Sequence, residues 1–216
     1  MTEINKKIVF VDIETTGLPP EIIVPGKRPG TTRKERVPYE TGYMDYPYVV
    51  SLAYKVNKEE SRYFVLNQEG RTIPEEAIKI HGITNEVATE SEHTFVSVVL
   101  ELIRVTQDAD IVVGHGLYFD TSVLKANVLR EIDKGRIIPT VFADITAALY
   151  KDKRIDTMRI TNKMFGKWPT LQELHRKLFD KGFFAHNAEE DVEATAACFY
   201  WLVENGAVDI GGIKPC

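Results

Sequence analysis

A chain of 216 residues with 44% hydrophobic content can bury a substantial core, and no linker or repeat divides it, so a single domain over residues 1–216 is expected. A net charge of −5 is unlike a protein that grips nucleic acid along a long groove, and it suits one that handles only a few terminal units. Two cysteines, Cys198 and Cys216, supply neither a zinc pattern nor a disulfide framework, and there is no secretory segment or long apolar span; a cytoplasmic protein without a membrane role is expected.

The first element is the run Ile8-Val9-Phe10-Val11-Asp12-Ile13-Glu14, whose β-branched apolar residues predict a buried central strand over 7–13. Side chains alternate along a strand, so Asp12 and Glu14 share one face while Ile13 points to the other. Carboxylates held that close repel, and one keeps a proton unless a cation neutralises both. An all-carboxylate set without cysteine suits hard ions such as Mg²⁺ or Mn²⁺. Alone, such a pair more often marks a solvated loop entry.

Residues 26–38 follow with five basic residues against one acid, a local charge of +4 that leaves −9 for the remainder. Their Pro and Gly content argues against regular structure. Strands are predicted over 48–56 and 61–66, joined by a hairpin signal at Asn57-Lys58-Glu59-Glu60 that makes the first three strands antiparallel. A short helix over 75–81 ends at His81, which is read as capping it. The helix over 92–107 carries Phe95, Val98, Val99, Leu102 and Val105 at helical spacing, a core stripe.

A buried strand over 110–114 leads through a glycine-bearing turn into a helix over 118–133, which puts Asp120 at a strand-to-helix junction. A strand over 138–143 and a helix over 145–151 come next, and the later strands should run parallel to the first. The basic segment 152–170 reads as another variable edge of the cleft, its basic residues mainly solvated. Thr170 should cap a helix over 170–179. Asn187 with Glu190 reads as a capping box opening a helix over 188–204. His186 then lies just before the cap and Asp191 about one turn inside.

Three motifs in this order, Val-Asp-Ile-Glu-Thr-Thr-Gly at 11–17, Phe119-Asp120, and His186 with Asp191 five residues later, resemble those of the DEDDh or DnaQ-like exonucleases, the family that includes the proofreading subunit of bacterial replicative polymerase. Ile80-His81-Gly82-Ile83-Thr84 adds to the resemblance, which spans about residues 6–204. It implies a ribonuclease H-like α/β fold with a mixed five-stranded sheet flanked by helices. By that comparison residues 19–46 contain an insertion whose basic part could clamp a strand being degraded, or simply be a solvated loop.

The resemblance also implies an activity: 3′-to-5′ hydrolysis of phosphodiester bonds at nucleic-acid 3′ ends, releasing nucleoside 5′-monophosphates. Two Mg²⁺ ions, with Mn²⁺ as a substitute, would sit about 4 Å apart. Asp12 would bridge them, Glu14 and Asp191 would hold the one nearer the attacking water, and Asp120 would serve the other. His186 would act as general base, its residue type being partly deprotonated near neutral pH. The backbone at Thr15 would meet the terminal 3′-hydroxyl, and Leu18 and Phe119 would offer apolar faces to the last bases.

The expected partners are single-stranded or frayed 3′ ends, DNA ahead of RNA, and a DNA polymerase if the role is proofreading. One departure from the family is Gly116 where an asparagine commonly follows the histidine, which removes an amide expected to steady the cleft. Competing readings are an RNA-trimming enzyme, a non-catalytic nucleic-acid or polymerase-binding module, and a plain acidic interaction protein. Four clustered acids that only a cation would compensate argue against the non-catalytic module, and the interaction protein predicts no metal-linked stabilisation.

Overall fold

The structure, a computed structural model, describes residues 6–149 and 151–211. Cys216 and Tyr150, within the helix expected over 145–151, lie outside the described residues. The main sheet has five strands, β1 (Ile8–Thr15), β4 (Val49–Val56), β5 (Arg62–Val65), β6 (Ile111–Gly114) and β7 (Arg154–Asp156), in the order β5-β4-β1-β6-β7. β1 pairs antiparallel with β4 and β4 with β5, whereas β6 runs parallel to β1 and β7 parallel to β6. This is a mixed α/β sheet flanked by helices, the ribonuclease H-like fold.

Alternation along β1 divides the core. Val9, Val11 and Ile13 face one layer with Val98, Val99 and Leu102 of α4 (Phe95–Thr106) and Val123 and Leu124 of α5 (Tyr118–Asp133). Ile8 and Phe10 face the opposite layer with Val192, Ala196 and Phe199 of α9 (Ala188–Glu204). Asp12 and Glu14 continue the second face, so the strand's period aims both carboxylates toward the start of α9. β1 also outruns its parallel neighbour: the last matched pair is Phe10 with Val113, so the strand end carrying the acids is free on that side.

Four expectations need correction. Residues 138–143 do not form the fifth strand but open α6 (Thr140–Ala148). The β-branched run there resembles a strand, yet Pro139 sits at φ −57° just before the helix, and Val141, Ile145 and Ala148 recur at helical spacing on its buried side. The fifth strand is the three-residue Arg154–Asp156, whose mixed polarity hides it until it pairs with β6. The segment 152–170 is structured as well, since it also holds α7 (Thr157–Phe165), begun by Asp156 and ended by Gly166 at φ +65°.

The fourth correction concerns residues 26–38, which are not irregular: β2 (Glu21–Pro25) and β3 (Thr32–Arg36) form a separate antiparallel hairpin. Ile22-Ile23-Val24 supplies β propensity, and the Gly-Lys-Arg-Pro-Gly sequence that argued against regular structure forms its turn, closed by Gly26 N–H donating to the Thr31 carbonyl at 2.7 Å. The short helix α1 (Tyr39–Gly42) returns the chain to the body.

The remaining helices are α2 (Glu75–His81), α3 (Asn85–Glu90), which the sequence reading had not assigned, and α8 (Leu171–Phe179). α8 starts where expected, with a complete capping box between Thr170 and Glu173. No helix among the described residues is long and apolar enough to cross a membrane.

Candidate active site

A cleft of about 870 Å³ opens at the C-terminal end of β1. Its lining brings together Asp12 and Glu14 from β1, Phe119 and Asp120 from the start of α5, and His186 and Asp191 around the start of α9. Of the eight residues picked from the sequence, Thr15 and Leu18 lie outside this lining. Thr15 is buried at a register shift between β1 and β4, its hydroxyl donating to the Gly17 carbonyl at 2.6 Å. Leu18 is 79% exposed on the loop beyond.

Each acid is placed by a local feature. Asp120 is buried in the first turn of α5, where the Ile13 backbone, between the two β1 acids, favours its ionised form against the cost of burial. The Asn187 side chain caps α9 by accepting from the N–H groups of Glu189 at 3.0 Å and Glu190 at 3.3 Å, so the Asn187 half of the expected capping box is present. Asp191 is buried one turn into that helix, and one of its oxygens accepts from the His186 N–H at 2.9 Å. That bond holds His186 in the left-handed region at φ 67°, a conformation a non-glycine residue keeps only under such constraint. Its ring is exposed, and a ring nitrogen and carboxylate oxygens of Glu14 and Asp191 all lie within 4.8 Å of one another.

The electrostatics of the cleft are those of stranded negative charge. Among the described residues none of the four acids forms an ion pair. Burial, and then repulsion from Asp120, Asp191 and Glu14, pushes the Asp12 carboxyl well above the usual range. Burial and the charges of Asp191 and Asp120 raise Glu14 to about 8. Asp120 rises to about 7 and Asp191 to about 6, in both cases chiefly through burial. Acids so arranged hold protons at neutral pH or share cations.

The segment 152–170 lines the cleft as an edge, through Asp156, Met158, Arg159 and Trp168, although none of its residues had been singled out. Arg36 reaches the cleft from β3, its guanidinium 5.5 Å from the Phe119 ring centre. Tyr118, Arg159 and Trp168 also line it, with Tyr118 59% and Trp168 56% exposed, so two aromatic faces stand open to a base. Trp168 falls within the segment expected as a cleft edge, and a large aromatic just outside a capped helix start was the signal that could have singled it out.

The amide missing at Gly116 has local substitutes. Gly116 N–H donates to Asp156 Oδ1 at 2.9 Å, and the His115 ring bridges the Thr157 hydroxyl at 2.9 Å and the Pro169 carbonyl at 3.0 Å. His81 does not cap α2 as expected: Gly82, left-handed at φ 75°, ends the helix by donating its N–H to the Ile78 carbonyl, whereas His81 Nδ1 accepts from Ile83 N–H at 3.0 Å beyond the helix, and burial and the nearby His186 hold its pKa below the usual value.

The profile of the exonuclease family designated RNase_T matches residues 9–199. Among solved structures, E. coli exonuclease I in complex with a dA16 oligonucleotide has a TM-score of 0.62 at 18% identity, covering 93% of this chain and 41% of its own. A zinc-bound complex of the same enzyme with single-stranded DNA also scores 0.62 at 18% identity, covering 94% of this chain and 41% of its own. Exonuclease X in complex with 5′-overhanging duplex DNA scores 0.55 at 17% identity, covering 94% of each chain. The chain thus spans about two fifths of the length of the exonuclease I structures, 41% in both complexes. No curated protein matches it in sequence.

Proposed function

The chain belongs to the exonuclease family, and from that premise we propose that it is a metal-dependent 3′-to-5′ exonuclease acting on DNA 3′ ends and releasing nucleoside 5′-monophosphates. The observation that carries the reading is the convergence of four mutually repelling carboxylates and one exposed imidazole in a single cleft. The same chemistry serves proofreading beside a polymerase or independent end trimming. DNA is favoured because the similar folds of exonucleases I and X are seen with DNA.

The donor set fits divalent cations: it is rich in carboxylate oxygen, lacks cysteine, and carries negative charge that no ion pair neutralises. Asp12, Glu14 and Asp191 would hold one ion, and Asp12 with Asp120 a second. Such ions, when bound, supply Lewis-acid stabilisation of the attacking and leaving oxygens.

The rest falls to the protein. His186 takes a proton from the water that attacks phosphorus, and the bond from phosphorus to the 3′-oxygen of the preceding nucleotide breaks, with solvent protonating that oxygen. Asp191 holds the backbone of His186 while facing Glu14, so base and acids keep one geometry. Phe119 stacks on the terminal base.

The test is digestion of 5′-labelled single-stranded DNA and RNA with Mg²⁺ or Mn²⁺, alongside Asp12→Ala and an EDTA control. A ladder shortening from the 3′ end, lost in both controls, is expected, with DNA cut faster. Shortening from the 5′ end, or shortening that survives EDTA, would overturn the reading.

A further inference from the structure

We propose that the β2–β3 hairpin is a phosphate-backbone clamp for a single nucleic-acid strand entering the cleft, with Arg36 joining the clamp to the cavity wall; this rests on the nuclease reading above. Residues 21–36 carry five basic side chains against two acidic ones, which leaves −8 for the rest of the chain. A polyanion approaching a body of that charge, toward a cleft floored by four acids, is repelled unless a positive element meets it. The hairpin is such an element, and it ends inside the cleft.

The register defines the face involved. Ile23 opposes Lys34 and Glu21 opposes Arg36, so Glu21, Ile23, Lys34 and Arg36 share one side of the ribbon, two cations against one acid. Arg36 lines the cleft over Phe119, and Lys34 lies two residues, about 7 Å, further out. Ile23 beside it is 74% exposed, an apolar surface for a base. Lys27 and Arg28 extend the positive charge to the turn, and among the described residues they and Arg36 make no ion pair, whereas Arg33 pairs with Glu35 and Lys34 with Glu21. A two-stranded ribbon that leaves both outer edges open and an isoleucine exposed gains stability from a ligand laid along it.

The experiment measures binding of a fluorescein-labelled oligothymidylate by anisotropy, in Ca²⁺ and across a salt series, for the intact protein and for Lys27→Ser/Arg28→Ser/Lys34→Ser. Loss of three phosphate contacts at about 0.7 each should reduce the slope of log K against log salt by about 2 and weaken low-salt binding about tenfold or more. The turn pair alone, Lys27→Ser/Arg28→Ser, should reduce the slope by about 1.4, and the charge-conserving Lys27→Arg/Arg28→Lys/Lys34→Arg should restore it. Unchanged affinity and slope in a variant with the parental thermal midpoint would overturn the clamp. The nuclease reading is judged separately, by hydrolysis of the p-nitrophenyl ester of thymidine 5′-monophosphate by the unaltered protein. That ester is too small to reach Lys27, Arg28 or Lys34, so an inert protein refutes the nuclease while the binding comparison still decides the clamp.

Discussion

Protons and cations compete for the four acids, and the sign of that competition can be worked out residue by residue. Glu14 at about 8, Asp120 at about 7 and Asp191 at about 6 are all raised above the ordinary carboxylate range. A raised acid stabilises the fold while protonated; that contribution is complete below its unfolded-state pKa and is lost as pH rises through the folded value. In EDTA the thermal midpoint should therefore fall between about pH 5 and pH 8, and saturating Mg²⁺ should restore most of the loss. Asp12→Asn removes the centre of the repulsion, so it should raise the midpoint in EDTA near pH 8 and abolish the response to metal. A flat EDTA profile, measured by differential scanning fluorimetry, would refute the stranded-charge description. The imidazole answers to a different readout: His186→Ala should lower kcat about 10²- to 10⁴-fold while the Mg²⁺-induced thermal shift persists. Loss of that shift would make His186 a ligand rather than the base.

At the scale of elements, Asp156 joins three pieces of backbone that the cleft depends on. It ends β7, caps α7 through Met158 N–H at 3.0 Å, and accepts from Gly116 N–H at 2.9 Å in the turn before α5. Asp156→Ala should cost about 1–2 kcal/mol from the lost cap and the unsatisfied donor at Gly116, whereas Asp156→Asn, which keeps an acceptor, should recover most of that in urea denaturation. The sequence reading could not see this junction. A three-residue strand has no period of its own, and Arg154-Ile155-Asp156 becomes a strand only because β6 offers it an edge. The run at 138–143 misled for the complementary reason, because β-branched residues resemble a strand until Pro139 starts a helix around them. By contrast, Asp12 and Glu14 were legible because a strand of period two determines which face its acids take. His186 and Asp191 were legible because Asn187 marks a helix start. The walls were legible only as segments: 26–38 and 152–170 could be read as edges, but that Arg36, Arg159 and Trp168 in particular meet across the cleft is set by tertiary packing, and nothing local in their neighbourhoods records the others.

For the molecule as a whole, the insertion has to be anchored to the body if charges on its hairpin are to act at the cleft, and Arg130 is the anchor. It lies on α5, ten residues beyond Asp120, and is only 2% exposed. Its Nε donates to the Tyr43 carbonyl at 2.8 Å, its Nη2 to the carbonyls of Tyr46 and of Pro47, the latter at 3.2 Å, and its guanidinium packs 4.1 Å from the Tyr48 ring centre. One buried cation thus satisfies three carbonyls where the chain returns from the insertion into β4. The Pro47 carbonyl also accepts from Asn127 Nδ2 at 3.0 Å and the Tyr43 carbonyl from Tyr46 N–H at 3.3 Å, so a hydrophobic residue in place of Arg130 strands chiefly the Tyr46 carbonyl. Arg130→Met should therefore cost about 1–3 kcal/mol. For a chain of this size that lowers the thermal midpoint by roughly 2–12 °C. Because the anchor fixes the insertion and not the acids, the Mg²⁺-induced shift should survive in the variant at its lower midpoint, while the salt slope for oligothymidylate binding should fall toward that of the hairpin substitutions. A variant that loses stability but keeps the full salt slope would show that the hairpin holds its place at the cleft without Arg130.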